Sequence, residues 1–302
     1  MTTTKKLLYS YHNLDSFVQI YEDGTKVRQS VGNRMIQPES IDLKITNQCN
    51  VGCRFCSEGS CPTGKHANYE NIINLVDCLA PGTEIAIGGG DALSFPELKW
   101  LLNLFYSKGL ICNLTTHEAH FAKGISIIRD YMSSGLIRGL GISPAQPFSF
   151  SVRDDIKALP YPQNVVIHTV AGIHDVNEIL YFSDKGYKVL VLGYKELGRG
   201  KGFYKKFKNI SRAIAELKNK IPFLLNNAKN IISFDNLAIK QLDVMRWLKH
   251  EGMEDLYMGE DGKYSMFVDA VEMKYAKSSC HKRLPIPQGK NIIQLYQKMN
   301  GW

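Results

Sequence analysis

Six short β-rich runs return at a regular interval along this chain, and that rhythm restricts its fold more than any other feature. They cover residues 40–46, 83–87, 110–115, 139–143, 164–169 and 188–192, and from the second onward they recur about every 25 residues. Most of the stretches between them carry helical periodicity, namely 71–79, 96–106, 125–132 and 176–183. Strand, helix and strand at this spacing imply βαβ units and a parallel sheet. Six such units make either a doubly wound sheet or a partial barrel, and periodicity does not separate the two.

The flanks read differently. Two alternating runs within 16–30 meet at Asp23-Gly24, a hairpin signal because both turn positions tolerate positive φ. After Leu192 the rhythm breaks up: 207–220 and 237–250 read as helices, 257–271 as a hairpin about Glu260-Asp261-Gly262-Lys263, and 291–299 as a last short helix. The expected organisation is an N-terminal hairpin extension (1–39), a core (40–200) and an α+β extension on the substrate side (201–302).

The 302 residues are 44% hydrophobic and 22% charged, which suits a globular protein with an ordinary core. No apolar run reaches the roughly 18 residues of a membrane-spanning helix. The amino terminus lacks the apolar stretch of a secretory signal, so a cytoplasmic protein is expected. Collagen, porin, disordered tail and secreted mini-protein are excluded. A net charge of +8 favours anionic partners such as nucleic acid, phosphates or acidic peptides, although charge alone is a weak guide to function.

Seven cysteines is an odd number, and three of them, Cys49, Cys53 and Cys56, fall in one loop directly after the first of the six strands. Without export, such clustering suggests a metal site rather than a disulfide framework. Structural zinc takes four protein ligands, so a zinc site would have to recruit Cys61 or His66. Three thiolates on a four-iron cluster instead leave one iron open to an external ligand.

The spacing Cys49-x3-Cys53-x-Phe55-Cys56, with an aromatic residue before the third cysteine, resembles the cluster loop of the radical S-adenosylmethionine (radical SAM) superfamily. A second match follows the next strand, where Gly88-Gly89-Gly90-Asp91-Ala92-Leu93 resembles the family's Gly-Gly-Glu-Pro segment. Asp91 stands for the glutamate and Ala92 for the proline, which shortens an acid and frees a backbone amide while keeping the glycines. The resemblance covers about residues 40–195.

That resemblance implies an α/β fold, a partial (β/α)6 TIM-like barrel, with chemistry at the carboxyl ends of the strands. It implies that Cys49, Cys53 and Cys56 bind a [4Fe-4S] cluster whose fourth iron takes S-adenosyl-L-methionine. An external one-electron reductant of flavodoxin or ferredoxin type would drive cleavage to a 5′-deoxyadenosyl radical, which abstracts a substrate hydrogen. By analogy the SAM pocket would draw on Phe55, Gly88, Gly89, Gly90, Asp91, Thr115, Ser143, His168, Leu192 and Tyr194. His168 and Cys280 are candidate catalytic residues, Cys280 as a radical relay or hydrogen donor. Only Cys280 lies beyond residue 112, so the cysteine-rich auxiliary-cluster domain of many peptide-modifying relatives is not expected.

Residues 194–208 are basic and interleaved with aromatics, and they follow the sixth strand. Lys195, Arg199, Lys201 and Tyr204 are therefore candidate substrate contacts, a pattern that suits phosphates and stacked bases. The reading drawn from this is modification of a nucleic-acid base or hypermodified nucleotide by isomerisation or rearrangement. The alternative is a peptide- or protein-modifying enzyme, an epimerase or crosslinking catalyst. The third reading, a zinc-stabilised binding protein, involves no SAM.

Overall fold

The computed structural model describes residues 6–146, 150–207 and 209–301. All six expected strands are present: β4 (Ser40–Thr46), β5 (Glu84–Gly89), β6 (Ile111–His117), β7 (Gly139–Ser143), β8 (Val165–Val170) and β9 (Lys188–Leu192). Three more precede them or make their floor, namely β1 (Leu7–Asn13), β2 (Ser16–Tyr21) and β3 (Lys26–Ser30). Four follow, β10 (Ile232–Phe234), β11 (Ser265–Asp269), β12 (Lys274–Ala276) and β13 (Leu284–Pro285).

Among the described residues β4 to β13 form one ten-stranded sheet in the order β10-β9-β8-β7-β6-β5-β4-β11-β12-β13. Pairing is parallel from β10 through β4 to β11, and antiparallel beyond. The sheet ends do not pair, yet residues of β4 to β11 all line one cavity. The sheet is thus curled into a partial barrel, which resolves the ambiguity that periodicity left. The strands after residue 200 extend this same sheet at both edges, β10 beside β9 and β11 beside β4.

The strands are apolar on the outer face. Ile41, Leu43, Ile85, Ile87, Leu140, Ile142, Ile167, Val189 and Val191 are almost fully buried there, in one core with residues of α1 (Tyr69–Val76), α2 (Leu98–Ser107), α3 (Glu118–Ser133), α4 (Arg153–Lys157) and α5 (Val176–Asp184). Each helix presents an apolar stripe inward, as Leu98, Leu101, Leu102 and Phe105 do on α2. The inner face is different. β5 offers Glu84, Ala86 and Gly88 to the cavity, and β7 offers Gly139 and Gly141. A barrel interior is ordinarily filled by branched aliphatic side chains; here small and polar residues leave a lumen of about 920 Å³.

The N-terminal strands form a separate antiparallel sheet, β1-β2-β3, which covers the amino-terminal ends of the barrel strands. Val18 and Ile20 pack on Ile111 at the start of β6. Lys26 Nζ lies 2.6 Å from Glu84, and Arg28 makes a two-pronged pair with Glu39 at 2.6 Å while lying 3.5 Å over the Tyr264 ring. The hairpin at Asp23-Gly24 forms as expected, with Gly24 at φ +81°. β1 was not foreseen, because its turn into β2 uses Leu14 at φ +53°, a residue that announces no turn.

Two further expectations are corrected. Residues 237–250 are not one helix: α6 (Gly198–Lys206), α7 (Asn209–Asn219) and α8 (Ile221–Asn227) are followed by α9 (Asn236–Leu242) and α10 (Val244–His250), split at Asp243 with φ +53°. The later hairpin turns at 270–273 between β11 and β12, whereas 260–263 is a loop against the lumen with Gly262 at φ +86°. The last helix, α11 (Ile292–Met299), is where the pattern put it.

Glu39 is almost fully buried, and removing it would strand the Arg28 guanidinium. Glu39→Ala is expected to lower unfolding free energy by about 3 kcal/mol in urea melts, the range for breaking a buried pair. Lys6→Ala, which breaks an exposed pair with Glu22, should stay within about 0.5 kcal/mol.

Candidate active site

The cysteine loop leaves the carboxyl end of β4 and is held by backbone pairing rather than by a core of its own. Asn47 N donates to Lys65 O at 2.8 Å, Cys49 N to Cys61 O at 3.0 Å, and Ala67 N to Ile45 O at 2.8 Å. Gly52, with φ +72°, makes the bend between the first two thiols. Cys49, Cys53 and Cys56 line one cavity of about 220 Å³ together with Phe55, Gly89, Gly90, Ser143, His174 and Tyr194.

The three thiols sense one another. Burial raises the Cys49 thiol, and the nearby Cys56 adds to the shift. Burial followed by repulsion from Cys56 and Cys49 pushes Cys53 up to about 11. Such crowding suits a shared cationic centre, which would relieve the repulsion between thiolates. Among the described residues no three His, Cys, Asp or Glu side chains are gathered around a point that one metal ion would occupy. The two residues a zinc site would need are engaged elsewhere. His66 Nδ1 lies 2.9 Å from Thr46 Oγ1, and Cys61 Sγ lies 3.6 Å from Thr63 Oγ1. The donor set therefore fits a cluster held by three thiolates better than a single zinc ion.

Glycines bring the second motif onto this loop. Gly90 N donates to Thr46 O at 2.7 Å and Asp91 N to Gln48 O at 2.6 Å. A β-carbon on Gly89 or Gly90 would overlap the carbonyls of Thr46 or Gln48, so only glycine permits the approach. Gly88 lies in the lumen wall instead. Asp91 lines neither cavity: it accepts from Leu93 N at 3.2 Å and sits 3.4 Å from His120 Nδ1. Its carboxylate caps the short turn that follows.

A third element, unforeseen, cradles the loop from α6. Arg199 N donates to Cys56 O at 3.0 Å, Arg199 Nε to Cys53 O at 2.9 Å and Arg199 Nη1 to Ser60 O at 2.6 Å. Gly198 and Gly200 lie against the loop carbonyls, where a side chain would collide, and Tyr194 donates its hydroxyl to Gly200 O at 2.8 Å. Arg199 is therefore corrected from substrate contact to brace. Lys201 is exposed and touches neither cavity, and Tyr204 rests against Tyr194 with ring centroids 5.6 Å apart. Phe203 packs between Phe55 and Phe207, so these aromatics are not open stacking platforms. Lys208 lies outside the described residues.

The small cavity and the lumen share Thr115, His168, Leu192, Lys195, Gly89 and Glu58 as a common wall. Lys195 Nζ donates to Ser279 Oγ at 2.7 Å, beside Cys280 on the lumen side. Burial raises the Cys280 thiol, which therefore stays protonated. Burial, then the charge of Lys195, pulls His168 down to about 4, so its imidazole is neutral. Gly141 makes the room for that ring, since a β-carbon there would overlap it. His174 is also held at about 4 by burial, and accepts from Val170 N at 3.0 Å.

Sequence reasoning missed the charged group that anchors all this. Lys44 Nζ lies 2.7 Å from Glu58 and 3.0 Å from Asp269, and Arg283 reaches Glu58 at 2.6 Å and Asp269 at 2.8 Å. These four residues are spread over 240 positions of sequence, so no local motif marks them.

No family model matches the chain, and no curated protein matches it. Solved structures do. SuiB of Streptococcus suis bound to precursor peptide SuiA superposes with a TM-score of 0.57 at 12% identity, over 87% of this chain and 65% of that one. SuiB bound to S-adenosylmethionine gives 0.54 at 13%, over 83% and 64%. A third SuiB structure gives 0.56 at 9%, over 92% and 82%. This chain folds as SuiB does. It spans just under two thirds of the SuiB chain in the first two structures.

Arg199→Ala is expected to free the cysteine loop and speed iodoacetamide alkylation of Cys53 and Cys56 severalfold in metal-free protein, while Lys201→Ala leaves it unchanged. A second expectation concerns acid. With folded values near 4, His168 and His174 take up protons on unfolding between about pH 6.5 and 4. Stability should fall as pH drops through that window, by up to about 1.4 kcal/mol per pH unit for each histidine. Urea melts at a series of pH values should show a shallower dependence of stability on pH in His168→Gln than in the wild type.

Proposed function

We propose that this chain is a radical S-adenosylmethionine enzyme that takes a hydrogen atom from a peptide. The observation that carries the proposal is the placement of Cys49, Cys53 and Cys56 at a cavity sharing a wall with a hollow lumen. The SuiB fold supports it, because SuiB has been seen with S-adenosylmethionine and with a precursor peptide. A [4Fe-4S] cluster on the three thiolates, with S-adenosylmethionine on its open iron, supplies one-electron cleavage and hydrogen-atom abstraction when bound.

The chain's own residues position and shield. Gly89 and Gly90 bring backbone to the cluster loop, and Arg199 fixes the carbonyls of two loop cysteines and of Ser60. Ser143 and Tyr194 line the cofactor side, and Thr115, Leu192 and His168 stand where cofactor and substrate would meet. Cys280, kept as a neutral thiol facing the lumen, is suited to return a hydrogen atom to a carbon radical, and Lys195 holds the adjacent Ser279. The electron comes from an external reductant of flavodoxin or ferredoxin type, consistent with a cytoplasmic setting. Among the described residues no helix is long and apolar enough to cross a membrane.

Peptide replaces nucleic acid as the favoured substrate. Within the segment that suggested bases and phosphates, Arg199 is engaged with the cysteine loop, and Phe203, Tyr204 and Phe207 pack against Phe55, Tyr194 and one another.

Anaerobic reconstitution with iron and sulfide, followed by dithionite and SAM, should yield 5′-deoxyadenosine and about four irons per chain. Cys53→Ala should lose both the cluster absorbance and the product. Product from that variant, or zinc without product from the wild type, overturns the proposal.

A further inference from the structure

The cysteine loop and α6 press together, and what the pair leaves exposed is basic. α6 gives one side to the loop: Gly198 and Gly200 lie against loop carbonyls, Arg199 binds Cys53 O and Ser60 O, and Phe203 packs on Phe55. On its other side Lys201, Gly202, Lys205 and Lys206 are exposed, with open space beside Gly202. Lys201 and Lys205, four residues apart, share one helical face. Arg54 is exposed as well, and it stands between Cys53 and Phe55, two of the loop residues that α6 touches. Across 47–68 and 194–207 the exposed charges are Arg54, Lys65, Lys201, Lys205 and Lys206 against one acid, Glu196. Among the described residues none of these cations forms an ion pair. The loop's own acid, Glu58, is taken by Lys44 and Arg283.

We propose that this face, centred on Arg54, Lys201 and Lys205, docks the one-electron donor, a redox protein with an acidic surface. The inference rests on the reading that the three thiolates hold a reducible cluster. One electron leaves the partner, which is oxidised by one, and the centre on the thiolates is reduced by one; no atom changes hands. Position selects this occupant. An electron must cross from partner to thiols by a short path, and Arg54 is the chain neighbour of Cys53. The substrate's place is the lumen, and Arg54, Lys201 and Lys205 line neither cavity. Charge selects it too. Exposed cations without partners steer an acidic protein into contact and raise the encounter rate more than they lock a complex. That suits the small, transient interfaces of electron-transfer pairs. A nucleic acid calls for open aromatic platforms among the cations, and here Phe203, Tyr204 and Phe207 are packed against Phe55, Tyr194 and one another.

In the test, full-length protein reconstituted with iron and sulfide is titrated with an oxidised acidic flavodoxin and, separately, an oxidised acidic ferredoxin, with binding read by calorimetry. At least one is expected to bind the wild type, and to bind less well as salt rises from about 50 to 300 mM. Lys201→Glu/Lys205→Glu should weaken that binding by about tenfold or more. Lys99→Glu/Lys249→Glu, the same change of charge at exposed positions of α2 and α10, should leave it as it is. Arg54→Gln should weaken it and Arg54→Lys retain it. Deoxyadenosine formation driven by the reduced partner should need correspondingly more partner in Lys201→Glu/Lys205→Glu, while the rate with dithionite stays at the wild-type value. Binding by neither protein, binding indifferent to salt, unchanged affinity in Lys201→Glu/Lys205→Glu, or an equal loss in the control variant overturns the proposal. So does tighter binding of a single-stranded oligonucleotide, which makes the face a nucleic-acid site, or loss of the dithionite rate, which makes the two lysines part of the enzyme's own machinery. The two readings fail separately. Deoxyadenosine from dithionite without partner binding removes only the docking face, whereas no deoxyadenosine from dithionite removes the enzymatic reading beneath it.

Discussion

Lys44, Glu58, Asp269 and Arg283 form a closed square of two cations and two anions, and the geometry of the site depends on it. Lys44 belongs to β4, Glu58 to the cysteine loop, Asp269 to the end of β11 and Arg283 to the approach to β13. Each carboxylate is shared by both cations, so no charge is left unmatched in a place with little water. Burial alone would raise the Glu58 carboxyl, but its bonds to Arg283 and Lys44 hold it below the usual carboxylate range. Breaking any corner would leave an uncompensated buried charge, which is far more costly than the net value of such a pair. The square therefore fixes where the cysteine loop stands relative to the last strands of the sheet, the two parts that must stay aligned if thiols and lumen are to act together.

The fold was legible because its signal is local. Each parallel strand alternates between an apolar outer face and a small or polar inner one, and each crossover helix carries its own stripe, so short windows of sequence reveal both. The cysteine triplet was legible for the same reason, since three cysteines within eight residues need no tertiary information to be recognised. What the sequence concealed is long-range. Arg199 looks like one more cation in a basic run, and only the fold shows that its guanidinium braces the carbonyls of Cys53 and Ser60.

The composition of the lumen explains where stability is placed. In a packed barrel the interior side chains contribute to the core; here the core lies almost wholly between the outer face of the sheet and its helices. The three N-terminal strands compensate at the floor, with Val18, Ile20 and Ile111 as a small second core and two ion pairs at its rim. A cavity of this size is tolerated because the surrounding scaffold does not depend on filling it.

The incomplete pairing of the sheet has a topological consequence. Among the described residues no ladder of backbone hydrogen bonds joins β10 to β13, and segments that include 258–261 and 278–280 line the lumen. A closed cylinder admits a polymer only by its end, like thread through a needle. A cylinder with a seam admits it sideways, as a coat hook takes a loop of cord. For a sheet of this architecture, the wall along the seam is set by loops and not by strand pairing.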